Sequence, residues 1–114
     1  MQATFASSYP LQMRLRIDLV PLEPPGEVLS GDVPCTIGSG SRAELCLPRP
    51  GYAHVAQRQC QLELDSEGRV QLINLSPTTP CVLDGASLRE QTIAVGEHLL
   101  AIGPSAFRLI LKEA

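Results

Sequence analysis

The chain has 114 residues, of which 44% are hydrophobic, and this is enough apolar material for the core of one typical domain. Nine Lys and Arg residues stand against twelve Asp and Glu, and the net charge of −3 excludes a nonspecific DNA- or RNA-binding protein, because phosphate contacts need many basic side chains. No apolar run approaches the roughly 20 residues of a membrane-spanning helix, and the first residues lack the pattern of a secretory signal, so we expect a cytoplasmic protein without membrane insertion.

The predicted elements are short β-strands, beginning with residues 11–20, LQMRLRIDLV. Apolar side chains occupy every second position from Leu11 to Leu19, and charged or amide side chains occupy the positions between them. This strict period of two is typical of a strand with one buried face. Residues 21–32, PLEPPGEVLSGD, then predict a loop or a poorly paired edge, because proline lacks a backbone donor and disfavours helix before it.

Further along the chain, short apolar sets typical of strands are separated by turns rich in glycine and proline. They cover residues 33–40, 43–48, 60–65, 69–75, 80–85, 91–95, 98–103 and 106–113. Between two of them, DSEGR at residues 65–69 predicts a hairpin turn, in which Gly68 is free to take a positive φ. Only GYAHVAQRQC, residues 51–60, weakly suggests a helix, so we expect little helix.

Such a row of strands predicts an all-β fold. About eleven short strands cannot share one flat sheet with a single core face, so we predict a β-sandwich of two mostly antiparallel sheets. We assign residues 1–10 to an N-terminal extension and residues 11–114 to a single domain. The four cysteines form no CxxC pair, so we predict no metal site and interpret all four as buried, reduced thiols.

Four stretches, taken in order, are more specific than the strand pattern. TIGSGSRAELCL (36–47) joins an isoleucine–glycine step to a loop, VAQRQCQLEL (55–64) is a strand with a polar beginning, NLSPTTPCVLDG (74–85) contains a turn, and IAVGEHLLAIGPSAFRLIL (93–111) has two glycine steps and a last strand with phenylalanine. In this order and spacing they resemble the forkhead-associated (FHA) domain over roughly residues 11–111, nearly the whole chain.

The resemblance depends on residues that match the family's turns and short strands. These are Ile37, Gly38, Glu44, Leu45, Leu47, Leu75, Ser76, Asp84, Gly85, Gly96, Glu97, Ile102, Gly103 and Phe107. It implies an eleven-stranded β-sandwich that binds a phosphothreonine peptide with the loops at one end. A phosphate group of about −2 charge requires an arginine and hydroxyl or backbone donors held in one place.

By the same resemblance, the phosphate-reading positions of the family are substituted in this chain. Ser39 and Gln57 stand where the family has arginines, Ala56 where it has serine, Gln59 where it has histidine, Thr79 where it has asparagine and Pro80 where it has glycine. Each charge-assisted hydrogen bond contributes about 1.5–3 kcal/mol, so the loss of an arginine and a serine weakens phosphate binding by about two orders of magnitude or more. We therefore expect that the conventional phosphothreonine site is lost.

Some polar side chains remain on the same loops. The candidate ligand-binding residues are Ser39, Ser41, Arg42, Gln57, Arg58, Gln59, Thr78 and Thr79. Arg42 and Arg58 carry the positive charge of this set, and each is either a phosphate contact or a solvated surface side chain. The GSGS loop lacks the lysine and the helix of a P-loop, and neither histidine accompanies a nucleophile and an orienting carboxylate, so we predict no enzyme and no cofactor.

The first functional hypothesis is a non-enzymatic protein–protein interaction module, or adaptor, that binds a protein or peptide partner independently of phosphorylation. The alternative is a divergent phosphothreonine-peptide binder that uses Arg42 and Arg58. A third hypothesis is a structural subunit of a bacterial secretion system or another assembly, because FHA-like domains with eroded phosphate sites occur in such machines. A homo-oligomer is compatible with the third hypothesis.

Overall fold

The computed structural model describes residues 14–48 and 51–113. Within these residues the chain forms eleven β-strands and no helix, which confirms the predicted all-β class. The extension assigned to residues 1–10, and Leu11 and Met13 of the first predicted strand, lie outside the described residues. In the described part of the chain, no helix is long and apolar enough to cross a membrane.

The strands are numbered in chain order. They are β1 (Leu15–Glu23), β2 (Leu29–Asp32), β3 (Cys35–Gly38), β4 (Leu45–Cys46), β5 (Cys60–Leu64), β6 (Val70–Asn74), β7 (Cys81–Leu83), β8 (Ala86–Ser87), β9 (Glu90–Ile93), β10 (Gly96–Ile102) and β11 (Ser105–Glu113). The larger sheet has the order β2-β1-β11-β10-β7-β8, and the smaller has the order β9-β6-β5-β3-β4. All neighbouring pairs are antiparallel except β3 and β4, which are parallel.

The first strand continues past the point where the sequence predicts a loop. Pro21 is buried and belongs to β1, which ends at Glu23. The prediction of a loop from residue 21 is therefore wrong at its beginning, and the register explains why: Phe107 pairs with Pro21 and Ala106 pairs with Glu23, so that Leu22 bulges out of the ladder. A bulge accommodates proline in a strand. At its end, the segment forms β2, an edge strand, which agrees with the alternative prediction of an edge.

Both sheets contribute one face to a common core. Phe107 is the largest fully buried side chain, and its ring centroid lies 5.8 Å from that of Tyr52. Most other core side chains are leucine, isoleucine and valine. The predicted hairpin turn at residues 65–69 is confirmed, with Gly68 at a φ of 79° between β5 and β6.

All four cysteines are free thiols. Cys35, Cys60 and Cys81 are buried, as predicted, whereas Cys46 is exposed. The prediction was wrong for Cys46 because it belongs to the two-residue strand β4, in which Leu45 faces the core and the next side chain faces solvent.

Candidate functional site

The strand register brings three loops to the same end of the sandwich. Ile37 near the end of β3 pairs with Cys60 at the start of β5, and Cys60 also pairs with Asn74 at the end of β6. The 39–44 loop, the part of the chain that precedes β5, and the 75–80 loop therefore begin or end beside one another. The candidate residues all lie on these three segments.

The 39–44 loop lies against the chain that precedes β5. The Ser39 N–H donates to the Ala56 carbonyl at 3.0 Å, and the Gly40 N–H donates to the Gln57 carbonyl at 3.2 Å. Gly38 permits this contact, because a Cβ atom on it would lie 2.0 Å from the Gln57 carbonyl oxygen. No larger residue fits there while the two backbones stay this close.

These two segments form a cavity of about 310 Å³. It is lined by Gly40, Ser41, Arg42, Gln57 and Arg58. Both arginine side chains are exposed, and neither forms an ion pair with a carboxylate of the described residues. The cavity thus carries two positive charges, one hydroxyl and one side-chain amide, a set that can bind an anion of phosphate size.

Gln59 follows Arg58 in the chain and is fully buried. Its Oε1 atom accepts a hydrogen bond from the Ala56 N–H at 2.8 Å. Its Nε2 atom lies within hydrogen-bonding distance of Asn74 Oδ1 (2.9 Å), the Thr79 carbonyl oxygen (3.1 Å) and Cys81 Sγ (3.5 Å). The side chain is enclosed by protein atoms, so a ligand cannot touch it unless a loop moves. Its hydrogen bonds instead hold the neighbouring loops together, and we call this role a brace.

Two of the candidate hydroxyls also point into the protein. Ser39 Oγ donates to the Val55 carbonyl at 2.7 Å, and Thr79 Oγ1 donates to the His54 carbonyl at 2.9 Å. Because each hydroxyl has a single proton, neither can donate to a bound anion while these bonds persist. Of the candidate hydroxyls, Ser41 is the one that lines the cavity of Arg42 and Arg58, which we call the arginine cavity.

Thr78 lies on the 75–80 loop and does not line the cavity of Arg42 and Arg58. It lines a larger cavity of about 630 Å³, whose other walls include Asn74 and Arg89. The loop is turned around Ser76, whose Oγ accepts from the Thr79 N–H at 2.9 Å. Of the candidate residues, Ser41, Arg42, Gln57 and Arg58 thus share one cavity, Thr78 and Thr79 line another, and Ser39 and Gln59 face inward.

Sequence reasoning missed Asn74 and Arg89. Asn74 is the last residue of an alternating strand and begins the NLSPTTPC stretch, so a polar side chain at a strand end was the available signal. Its Oδ1 atom accepts hydrogen bonds from Gln59 and from the Ser76 N–H at 3.2 Å. Arg89 lies between β8 and β9, which belong to different sheets. No pattern in the sequence distinguishes it as a candidate.

Each of the two histidines forms a hydrogen-bonded pair with another side chain. His54 Nε2 lies 2.7 Å from Ser105 Oγ, and His98 Nδ1 lies 2.8 Å from Asp84 Oδ2. The described residues contain no cluster of three His, Cys, Asp or Glu side chains that could hold a metal ion.

No family model matches the chain, and no curated protein matches it. Several solved structures do match the chain. The FHA domain of an Arabidopsis thaliana hypothetical protein is similar at a TM-score of 0.66 and 20% identity, over 93% of this chain and 90% of that one. The FhaA FHA domain, solved in complex with the intracellular domain of Rv3910, is similar at a TM-score of 0.63 and 22% identity, over 84% of this chain and 99% of that one.

A third similar structure is the N-terminal FHA domain of S. cerevisiae Rad53p in complex with a phosphothreonine peptide. Its TM-score is 0.62 at 16% identity, and the match covers 83% of this chain and 90% of that one. These structural matches agree with the two-sheet topology and with the motifs that resemble the family. The chain has the fold of the forkhead-associated (FHA) domain.

Proposed function

We propose that this chain is a non-enzymatic protein-interaction module that binds a phosphothreonine-bearing peptide through Arg42 and Arg58. The observation that carries the proposal is that both arginines line one cavity at the loop end of the sandwich. Similar FHA domains have been solved with a phosphothreonine peptide and with a protein partner, which supports an interaction function. The site is divergent, because its charges come from different positions than those of the family's motif.

The charge balance of the cavity supports an anionic ligand. Two guanidinium groups that line one cavity, without a carboxylate partner among the described residues, gain from a phosphate placed between them. Ser41 adds a hydroxyl donor from the same wall. A phosphate of about −2 charge matches this set in charge and in hydrogen-bonding capacity.

The inward-facing hydroxyls favour a second candidate function, phosphorylation-independent binding of a protein partner. Ser39 and Thr79 donate to backbone carbonyls, so these two hydroxyls contribute no free donor to a phosphate at the loop end. In that case the loop end binds a neutral or acidic partner, and the two arginines act as solvated surface charges.

A peptide library in three matched forms separates these candidates. Degenerate peptides with a central phosphothreonine, threonine or glutamate are titrated against the whole chain, with fluorescence anisotropy as the readout. The proposal predicts that the phosphothreonine form binds most tightly, and that Arg42→Ala or Arg58→Ala weakens binding by about 10- to 100-fold, the loss of one charge-assisted contact. Arg89→Ala is the matched control, because Arg89 lines a different cavity, and it should leave this affinity unchanged.

Equal binding of the phosphothreonine and threonine forms contradicts the first candidate and supports the second. Loss of binding in Arg89→Ala, with unchanged binding in Arg42→Ala and Arg58→Ala, would place the peptide at the cavity of Arg89 and would also contradict the proposal.

A further inference from the structure

Two thiols from opposite sheets meet in the core directly below the loop end. Cys60 begins β5 in the smaller sheet, and Cys81 begins β7 in the larger one. Their sulfur atoms lie 3.6 Å apart, in van der Waals and hydrogen-bonding contact. The two side chains are 0% and 1% exposed. A disulfide bond holds its sulfurs about 2.05 Å apart, so the two sulfurs must approach each other by about 1.5 Å to form a covalent bond.

The two thiols differ in their surroundings. The hydrogen bond from Cys60 lowers the pKa of Cys81, against the opposing effect of burial, and the Gln59 amide at 3.5 Å lowers it further. The same contact, together with burial, raises the pKa of Cys60. The Gln59 Nε2 donor contacts the Cys81 sulfur, and this geometry favours Cys81 as the thiolate of the pair.

Cys81 also borders a cavity at the surface. It contributes to the wall of the cavity of about 630 Å³ that lies between the 75–80 loop and residues 87–89. Cys60 is not part of that wall and lies behind Cys81. Of the two cysteines, Cys81 is the one that borders this cavity, so a hydroperoxide that reaches the pair approaches from the Cys81 side.

We propose that Cys60 and Cys81 are an oxidation site at which a hydroperoxide converts the two thiols into a disulfide that links the two sheets. In the first step the Cys81 thiolate attacks one peroxide oxygen, the O–O bond breaks, and hydroxide leaves and is protonated to water. In the second step the Cys60 sulfur loses its proton and attacks the Cys81 sulfenic acid, the S–O bond breaks, and a second water leaves. Two electrons pass from the sulfurs to one peroxide.

The other two cysteines lack this arrangement. Cys35 is buried, and burial together with the carboxylates of Glu44 and Asp32 raises its pKa to about 12. Cys46 is exposed and belongs to β4 at the edge of the smaller sheet. Among the described residues, which include all four cysteines, neither Cys35 nor Cys46 contacts another cysteine sulfur. They serve as internal controls for selective oxidation.

The first experiment uses the reduced whole chain and hydrogen peroxide. After treatment, the protein is denatured, its thiols are counted, and its proteolytic peptides are analysed by mass spectrometry. The expected result is that two of the four thiols disappear, with a peptide pair joined through Cys60 and Cys81, and that dithiothreitol restores them. The cross-link should raise the thermal midpoint by about 5 °C or more, because it lowers the conformational entropy of the unfolded chain. Retention of all four thiols, or a bond that includes Cys35 or Cys46, overturns the proposal.

Single variants test the order of the two steps. Cys60→Ser should leave a Cys81 sulfenic acid that dimedone traps, whereas Cys81→Ser should leave Cys60 unlabelled. Cys46→Ser is the matched control and should form the Cys60–Cys81 bond as the unmodified chain does. Labelling of Cys60 in the Cys81 variant contradicts the assignment of Cys81 as the attacking sulfur. If a variant fails to fold, the peptide map of the unmodified chain still decides whether the bond forms.

Discussion

The Nε2 amide of Gln59 donates a hydrogen bond to the Oδ1 atom of Asn74 at 2.9 Å, and this contact joins the start of β5 to the end of β6 inside the loop end of the sandwich. The same side chain accepts from the Ala56 N–H and donates to the Thr79 carbonyl. One buried amide therefore connects the segment that carries Arg58 with the 75–80 loop. Gln59 does not line the arginine cavity, but it is bonded to the segment that carries Arg58.

Replacement of Gln59 by alanine should destabilise the fold by about 2–4 kcal/mol, because buried polar groups of Ala56, Asn74 and Thr79 lose their partner. Gln57→Ala is the matched control; its side chain is exposed, so its effect should stay within about 0.5 kcal/mol. Urea unfolding followed by circular dichroism measures both. Equal stability of the two variants would show that Gln59 does not brace the loops.

Gly38→Ala should destabilise the chain by about 3 kcal/mol or more and separate the 39–44 loop from the chain before β5. The added Cβ would lie 2.0 Å from the Gln57 carbonyl oxygen, and a backbone atom cannot yield as a flexible side chain does. Gly51→Ala is the control, since its nearest contact would be 3.9 Å from the Pro48 carbonyl oxygen. Chemical denaturation and the amide NMR shifts of residues 39–42 report the two effects. A Gly38 variant as stable as the Gly51 variant contradicts the close approach.

His98 and Asp84 should make stability depend on pH above about pH 6.5. Burial opposes the charged ring, but the Ala94 carbonyl and the Asp84 carboxylate outweigh it and raise the pKa of His98 above 6.5. The His98 ring and the Leu99 N–H hold the pKa of Asp84 below 3.8. The contribution of the histidine is therefore complete below about pH 6.5 and is lost as pH rises through its higher folded value.

Asp84→Asn tests this pair, because asparagine tolerates the positive φ of 49° at this position and retains an acceptor for the Leu99 N–H. The variant should lower the His98 pKa, measured by NMR titration. It should cost about 0.5 kcal/mol at mildly acidic pH, a small value because water screens the exposed carboxylate. Glu97→Gln is the control, because it removes an ion pair with Arg108 and leaves the contact between His98 and Asp84 in place. An unchanged His98 pKa in Asp84→Asn contradicts the pairing.

Asp65 should hold its charge to unusually low pH. Its Oδ1 atom accepts from the Arg69 and Glu67 N–H groups at 2.8 Å, and its Oδ2 atom accepts from Arg69 Nε at 2.9 Å. The backbone bond from Arg69 is the main cause that lowers the pKa of Asp65 to about 2. Its stabilisation is present above about pH 3.8 and is lost as pH falls toward 2.

Acid unfolding curves of Asp65→Asn should therefore show a weaker loss of stability between about pH 4 and pH 2 than the unmodified chain shows. Ser66→Ala, an exposed change in the same turn, is the control and should keep the original slope. The same slope in all three proteins would rule out the turn as a source of acid sensitivity.

The fold was predictable from sequence to a large extent, and for reasons of local chemistry. Alternating side chains from Ile17 to Leu19 and from Cys60 to Leu62 are buried as the period of two predicts. Where proline interrupts the alternation at Pro21, the prediction failed, because a bulge opposite β11 absorbs the proline and local sequence carries no information about the partner strand.

The candidate site was predictable only in part. Motif order placed Ser41, Arg42, Gln57 and Arg58 on loops of one end, and these four share a cavity. It did not distinguish side chains that face solvent from those that face inward, such as Gln59. The direction of a loop side chain depends on backbone hydrogen bonds to distant segments, and these are formed between residues far apart in the chain.

The amino-acid sequence by itself determined most of the strands, the turn at Gly68 and the alternation of core and surface side chains within the main strands, since these follow from properties of neighbouring residues. Tertiary structure alone decided that Gly38 lets two loops touch, that Gln59 is a buried brace rather than a surface group, and that the sulfurs of Cys60 and Cys81 meet across the sheets. The physical reason is that each of these contacts joins segments brought together by strand pairing and sheet packing, whose register no single stretch of sequence specifies.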